Sequence, residues 1–364
     1  MDKRIRIAGI VAAIVFAIII WTSPSDNLPI PEPMSDSSNE FVQVLATNLE
    51  KPRAFDFAEE KIFVTEKIGR IRVIDSGILL EDPLATLRTA NVFDGGLLGI
   101  AVHPSFSENH FLYVYHTYEK NNNLWNKILR ITESENKLVD VETIFDGIPG
   151  SAFSNGGILK FGPDGKLYAG TGLVSDSSHG SQDLQSLEGK ILRLNDDGTI
   201  PDDNPFPDSP VYSYGHRDPK GLAWDEYGKL FVSEIGPTKN DEINLVQAGK
   251  NYGWPEQECF GNEKFIDSLI CYDPAIEPGG IVFYYGDKLK LENSLVMAGL
   301  RGLGLFSLDT DNDKIKDQKS IFGGMGRIRD VNVGPDGYLY LITSNTDGKG
   351  FPDRDDDKLL RILK

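Results

Sequence analysis

The chain is 364 residues long and 40% hydrophobic, with 37 Lys and Arg against 55 Asp and Glu, a formal net charge of −18. That length and apolar content bury a large core, as one big all-β domain or two smaller domains. The negative surface repels phosphate backbones and sets nucleic acid aside as a partner; it tolerates divalent cations, although solubility alone accounts for such a charge.

The N-terminus reads as a separate segment. MDKRIR carries three Lys or Arg in six residues, and Ile7 to Trp21 then runs fifteen residues without a charge. At about 1.5 Å per helical residue this stretch spans about 23 Å, short of a roughly 30 Å hydrocarbon core. TSPSD follows it instead of an A-x-A-like cleavage site. Residues 1–21 are therefore predicted to be an uncleaved signal anchor, with a cleaved signal peptide as the alternative, and the remainder to be extracytoplasmic. Residues 22–40, rich in Ser, Pro and Asp, are expected to form an extended tether.

From residue 41 onward the chain repeats itself. FGPDGKLYAGTG from Phe161, WDEYGKLFVSEIG from Trp224 and VGPDGYLYLITS from Val333 nearly superimpose, and looser copies begin at Phe57, Val102 and Leu291. Each copy is a turn followed by an apolar and aromatic β-run, and sustained helical periodicity is scarce. Six units of about fifty residues, each long enough for four strands, predict a six-bladed, all-β propeller with four-stranded antiparallel blades over 41–364. The mouth of its central channel is the expected ligand site.

Candidate chemistry follows in chain order. Asp94 precedes Gly95 and Gly96, glycines that permit close backbone approach. SNGG, Ser154 to Gly157, is a small polar segment leading into a strand. His216, Arg217 and Asp218 sit together in a loop, and Arg217 has a fork suited to a carboxylate. Gly236-Pro237 reverses the chain ahead of Asp241 and Glu242, and oxygen ligands of that kind suit Ca²⁺. Cys259 and Cys271 form either a local disulfide or two independent thiols, and lack the histidines of a zinc site. Asp309 to Asp317 imitates a calcium loop, but Lys314 stands where Gly is needed, so a solvated hairpin is expected. Arg327 and Arg329, at i and i+2, share a strand face and call for an anion between them, and Arg301 adds a possible third guanidinium.

In this order, GGLLGIAVHPSF, NGGILKFGPDGKLYAGTG, LEGKILRLNDDGTIPDDNPF, YGHRDPKGLAW, SEIGPTKNDEINLVQAGKNYGWP and RIRDVNVGPDGYLYLIT resemble the glucose/sorbosone dehydrogenase family over residues 41–364. The resemblance implies pyrroloquinoline quinone (PQQ) and Ca²⁺ at the channel mouth, and oxidation of a sugar or related alcohol by hydride transfer, with an electron acceptor still to be named. It also implies that Arg217, Arg327 and Arg329 bind the cofactor, that Asp94 takes the place of a Gln or Glu at the cofactor's edge, that Asp218, also cofactor-binding, stands where the family usually carries Asn, that Arg301 falls in a basic segment of the site, and that the carbonyls of Gly236 and Pro237 hold Ca²⁺. The family's catalytic histidine falls on Ser154, and a hydroxyl is a poor base. His179, in a loop that could overhang the mouth, is the candidate substitute. The competing expectation is a catalytically impaired propeller that binds a ligand, glycan or partner protein.

Overall fold

The six sequence copies all mark one kind of place: the turn where the innermost strand of a blade passes into the second. In the computed structural model, which describes residues 41–364 apart from 178, 292 and 312, the innermost strands are Pro52–Ala58, Leu97–Val102, Gly156–Phe161, Pro219–Trp224, Pro278–Tyr284 and Ile328–Val333. Each heads its own antiparallel sheet, and the six sheets follow one another in chain order as blades 1 to 6. Each innermost strand packs on the next, and Pro52–Ala58 packs on Ile328–Val333, which closes the ring. The predicted anchor at 1–21 and tether at 22–40 lie outside the described residues. Among the described residues no helix is long and apolar enough to cross a membrane.

Blades 2 to 5 are built of four consecutive strands, and blade 1 adds a short fifth, Ala85–Thr86, beside Arg70–Asp75. Blade 6 borrows its outermost strand from the other end of the sequence: Val42–Ala46 pairs antiparallel with Leu359–Ile362. The exchange closes the propeller without leaving an unsatisfied seam. Second strands such as Leu167–Thr171 and Leu339–Thr343 are buried at every residue, because neighbouring blades cover both faces. The apolar clusters therefore lie between blades; one brings Tyr113 and Tyr115 of blade 2 against Leu159, Leu167 and Ala169 of blade 3.

The turns are legible for a conformational reason. Gly165 and Gly337 close the two Pro-Asp-Gly turns at φ 72° and 80°, where an L side chain is strained. The calcium-loop imitation lies on a hairpin: Asp309, Thr310 and Asp311 pair with Asp317, Ile315 and Lys314 between strands Gly304–Asp311 and Lys314–Gly323. Cys259 and Cys271 are disulfide-bonded.

One irregularity recurs in every blade. The pairing of each innermost strand with its neighbour slips near its first residues, at Pro52/Ala54, Leu97/Ile100, Gly156/Leu159, Pro219/Gly221, Pro278/Ile281 and Ile328/Asp330. Bulges re-aim side chains and end regular pairing. Here they occur at the same end of all six strands, and that end forms the channel mouth.

Candidate functional site

The second residue of each innermost strand reaches the same cavity: Arg53, Leu98, Gly157, Lys220, Gly279 and Arg329 in blade order. Three are cations. Two are glycines without space for a side chain: a Cβ on Gly157 would meet the Leu98 side chain at 2.6 Å, and one on Gly279 would meet the Arg329 carbonyl at 2.1 Å. The mouth thus combines positive walls with a close-packed floor.

SNGG forms the blade 3 edge of this mouth. Ser154 has φ 46°, an uncommon left-handed conformation for a residue with a side chain. Its carbonyl accepts the Leu173 N–H at 2.8 Å and lies so near Gly172 that a Cβ there would stand 1.7 Å from the oxygen. Asn155 is buried; its side chain accepts the Ser151 N–H at 3.0 Å and donates to the Ser151 carbonyl at 2.8 Å. Asp218 Oδ1 accepts the Gly156 N–H at 2.8 Å and the Lys220 ammonium at 2.8 Å. An asparagine could accept the backbone bond but could not neutralise Lys220, so Asp218 and Lys220 make physical sense as a pair.

Arg327 and Arg329 converge as the sequence suggested, Arg217 occupies a separate pocket, and carboxylates of the same chain hold all three. Arg217 is buried and binds Asp176 in a bidentate fork, Nε to Oδ1 at 2.9 Å and Nη2 to Oδ2 at 3.1 Å. Its Nη1 donates to the carbonyls of Ile235 and Gly236, both at 2.9 Å, and its guanidinium lies 5.4 Å from the Trp254 ring centre. Arg327 pairs with Glu277 at 2.9 Å and Asp347 at 3.2 Å, and Arg329 reaches the same Asp347 oxygen at 3.2 Å. Arg301 stands at the rim, more than half exposed, 3.8 Å from Glu277. Burial, and then the neighbouring Arg53, push the Arg329 guanidinium down to about 9. Its Nε is buried without a hydrogen-bond partner among the described residues.

Asp94 lies across from SNGG, and its N–H donates to the Ala152 carbonyl at 2.9 Å. Burial raises its pKa, but Arg53, Lys220, Arg329 and Lys349 outweigh that and hold the carboxyl below its ordinary value. Gly236 is fixed through its N–H by Asp241 Oδ1 at 2.8 Å, while Asp241 Oδ2 accepts the N–H groups of Ile276 and Glu277 at 2.8 and 2.7 Å. Asp241 therefore ties the Gly236-Pro237 reversal to the segment that carries the Arg327 partner. His179 is exposed, and its carbonyl rather than its ring organises the loop, accepting the Gln182 N–H at 3.0 Å. The other four histidines are engaged elsewhere: His216 is buried between Ser213 and Glu234, His103 Nδ1 accepts the Ser105 N–H, His110 lies 3.8 Å from Glu133, and His116 is bonded to the Arg88 carbonyl while burial pulls it down to about 4.

Sequence reasoning missed Arg53, Lys220, Asp176, Glu277 and Asp347. Arg53 and Lys220 were detectable only by counting each strand back from its turn to the same position as Arg329. Asp176 is 41 positions from Arg217 and carries no local signature.

Two cofactors can be tested against this donor set. A polycarboxylate suits the donor chemistry: it offers oxygens to Arg53, Lys220 and the orphaned Nε of Arg329, at the open end of the cavity above the close-packed glycines. A metal fits less completely. The Gly236 carbonyl already accepts Arg217, and among the described residues no group of three or more His, Cys, Asp or Glu could cage an ion. Ca²⁺ takes six to eight oxygens, so the Gly236 and Pro237 carbonyls would hold it only alongside ligand and water oxygens.

Known proteins resemble this chain in sequence and fold. Residues 49–361 match the sequence profile of the family described as Glucose / Sorbosone dehydrogenase. The aldose sugar dehydrogenase of Escherichia coli is 30% identical, over 85% of this chain and 91% of its own length. Quinoprotein glucose dehydrogenase B of Acinetobacter calcoaceticus is 28% identical, over 90% of each chain. The PQQ-bound aldose sugar dehydrogenase of Streptomyces coelicolor superimposes with a TM-score of 0.80 and 37% identity, covering 91% of this chain and 99% of that one.

Proposed function

The chain belongs to the glucose/sorbosone dehydrogenase family, and from that membership we propose that it is a PQQ-dependent dehydrogenase oxidising a sugar or related alcohol. The observation that carries the reading is the meeting of Arg53, Lys220 and Arg329 in one cavity, with Arg327 joined to Arg329 through Asp347. Buried cations of one sign are costly until an anion joins them, and a tricarboxylate is such an anion.

PQQ, when bound, supplies a quinone that accepts hydride, and Ca²⁺ at the Gly236 and Pro237 carbonyls supplies a Lewis acid. Arg53, Lys220 and Arg329 bind and orient the carboxylates. Glu277 and Asp347 keep the two-arginine wall of Arg327 and Arg329 in place between turnovers. Ser154 orients the substrate hydroxyl by hydrogen bonding and does not take its proton, because a serine hydroxyl is too weak a base. The proton is assigned to Asp94, which is held ionised and fixed beside the SNGG segment through Ala152; the cations that lower its pKa also make it a weaker base than an ordinary carboxylate. His179 lies in an exposed loop and has no part in this proposal. In this proposal residues 1–21 tether the enzyme outside the cytoplasm, as their charge pattern suggests, and an acceptor outside the chain reoxidises the cofactor.

A second reading rests on Ser154 and on the saturation of Arg217 by Asp176: a propeller that binds ligands without turnover. Dye reduction by the full-length chain, loaded with PQQ and Ca²⁺ and given a panel of aldoses, separates the two. Turnover with any aldose supports the enzyme. Tight PQQ binding without turnover favours the binding protein.

A further inference from the structure

The central channel continues past its middle. Its lining advances along the innermost strands, from Arg53 and Arg329 at the mouth, through Asp56 and Asn332, to Phe57 and Val333 at the far end. At about 3.3 Å per strand residue, Phe57 lies roughly 13 Å along the channel from Arg53. There a vestibule of about 410 Å³ opens on the face opposite the mouth, and it shares no lining residue with the mouth cavity. Phe57 and Phe161 contribute apolar walls. Asp56 and Lys160 stand where the vestibule meets the middle of the channel, and Glu59 is exposed at its rim.

Lys160 is the unusual group in this space. Buried lysines that serve structure are bonded: the Lys190 ammonium donates to the carbonyls of Gly180, Ser181 and Glu188 at 2.7, 3.0 and 2.6 Å, and Lys220 reaches Asp218 at 2.8 Å. The Lys160 ammonium makes neither a hydrogen bond nor an ion pair among the described residues. The two carboxylates that face it are taken up by backbone. Asp56 accepts the N–H groups of Phe57 and Val102, both at 2.9 Å, and Asp330 accepts those of Val331 at 2.9 Å and Phe55 at 3.3 Å. They act on Lys160 through charge alone, and burial outweighs them, holding the ammonium below its ordinary value. An amine that is desolvated, unpaired and reachable from a cavity is a nucleophile.

We propose that Lys160 is a covalent binding site for small neutral aldehydes that enter the channel from its far end. The amine nitrogen adds to the carbonyl carbon, and the resulting carbinolamine loses water to give a protonated imine. An ammonium and an aldehyde become an iminium and a water, so charge is conserved and neither oxidant nor reductant is needed. The iminium keeps the positive charge that Asp56 and Asp330 face, so their balance survives the reaction. A short alkyl chain on the aldehyde lies against Phe57 and Phe161. An anionic aldehyde is disfavoured, because Glu59 and Asp56 present like charge to it.

Butanal and glyoxylate are the probes, each given with cyanoborohydride to the full-length chain near neutral pH. Cyanoborohydride reduces the imine to a stable secondary amine, and peptide mass mapping locates it. Butanal should label Lys160 before exposed lysines such as Lys288 and Lys349. Glyoxylate, scored against the same exposed lysines, should lose that preference. Labelling of the exposed lysines with Lys160 untouched, or an equal preference for Lys160 with both aldehydes, would overturn the proposal. Mapping on the unsubstituted protein makes this result independent of how any variant folds. Lys160→Arg keeps a positive charge between the carboxylates and should lose the fast phase of butanal uptake, read as intact mass; an unchanged fast phase would also overturn it. Neither result bears on the dehydrogenase proposal, because the two cavities share no residue.

Discussion

The mouth of the central channel and its middle both bury charge, and they handle it differently. In the middle, Asp56, Lys160, Asp330 and Asn332 line one narrow space, where the Lys160 charge is set against those of Asp56 and Asp330. Asp330 accepts the Phe55 N–H at 3.3 Å, and Asp56 accepts the Val102 N–H at 2.9 Å and the Asn332 amide at 3.3 Å. Each of these bonds joins neighbouring blades, so the carboxylates act as staples. At the mouth, Arg53, Lys220 and Arg329 meet with Asp218 and Asp347 as their hydrogen-bonding carboxylates, and the Arg329 Nε has no partner among the described residues. Buried charge by itself does not mark a site. Charge left short of partners, on a floor of crowded glycines, does.

The sharpest way to break this contrast is to neutralise the mouth. Asp94→Asn should lower kcat about 10²- to 10⁴-fold in the dye assay, because it removes the proposed proton acceptor. Adding Ser154→His to that variant should restore much of the loss by returning a base to SNGG, and no recovery would place the proton elsewhere.

Next comes an exchange of losses between the two regions. Arg329→Met should weaken PQQ binding about 10- to 100-fold, as expected for losing a charged hydrogen bond, with little change in melting temperature. Lys160→Met should do the reverse: it strands two buried carboxylates and costs roughly 3 kcal/mol of stability, measured by urea unfolding, while PQQ affinity holds.

A smaller effect distinguishes the middle by pH. Burial pushes the Asp330 carboxyl up to about 7. A raised carboxylate contributes its full stability below the unfolded value near 4 and loses it as pH climbs through about 7. The protein should therefore lose stability over that window relative to Asp330→Asn, by at most about 1.4 kcal/mol per pH unit. Parallel thermal melts at pH 5 and pH 8 check the sign. The smallest effect belongs to Asp176→Asn. It frees Arg217 from a half-exposed partner and should tighten PQQ binding about two- to five-fold, since exposed ion pairs are weak.

The scaffold was more legible than the site. Turns such as 161–165 and 333–337 carry glycines at positive φ, and that demand is written in the local sequence. The convergence of Arg327 and Arg329 was also readable, because residues two apart on a strand face the same way, and both reach Asp347. Arg53 was not, because its partners come from blades hundreds of residues away and the ring must close before they meet. The carboxylates on the arginines were hidden for the same reason: Glu277 lies 50 positions from Arg327. Ser154 was singled out by its neighbours, but its left-handed backbone and the contact of its carbonyl with Gly172 appear only in three dimensions.

Calorimetric titration of PQQ into the full-length chain, with and without Ca²⁺, tests the central claim most directly. The account predicts one PQQ per chain, bound more tightly with Ca²⁺ and at least tenfold more weakly by Arg329→Met. No heat of binding in the presence of Ca²⁺, or binding that Arg329→Met leaves unchanged, would contradict it.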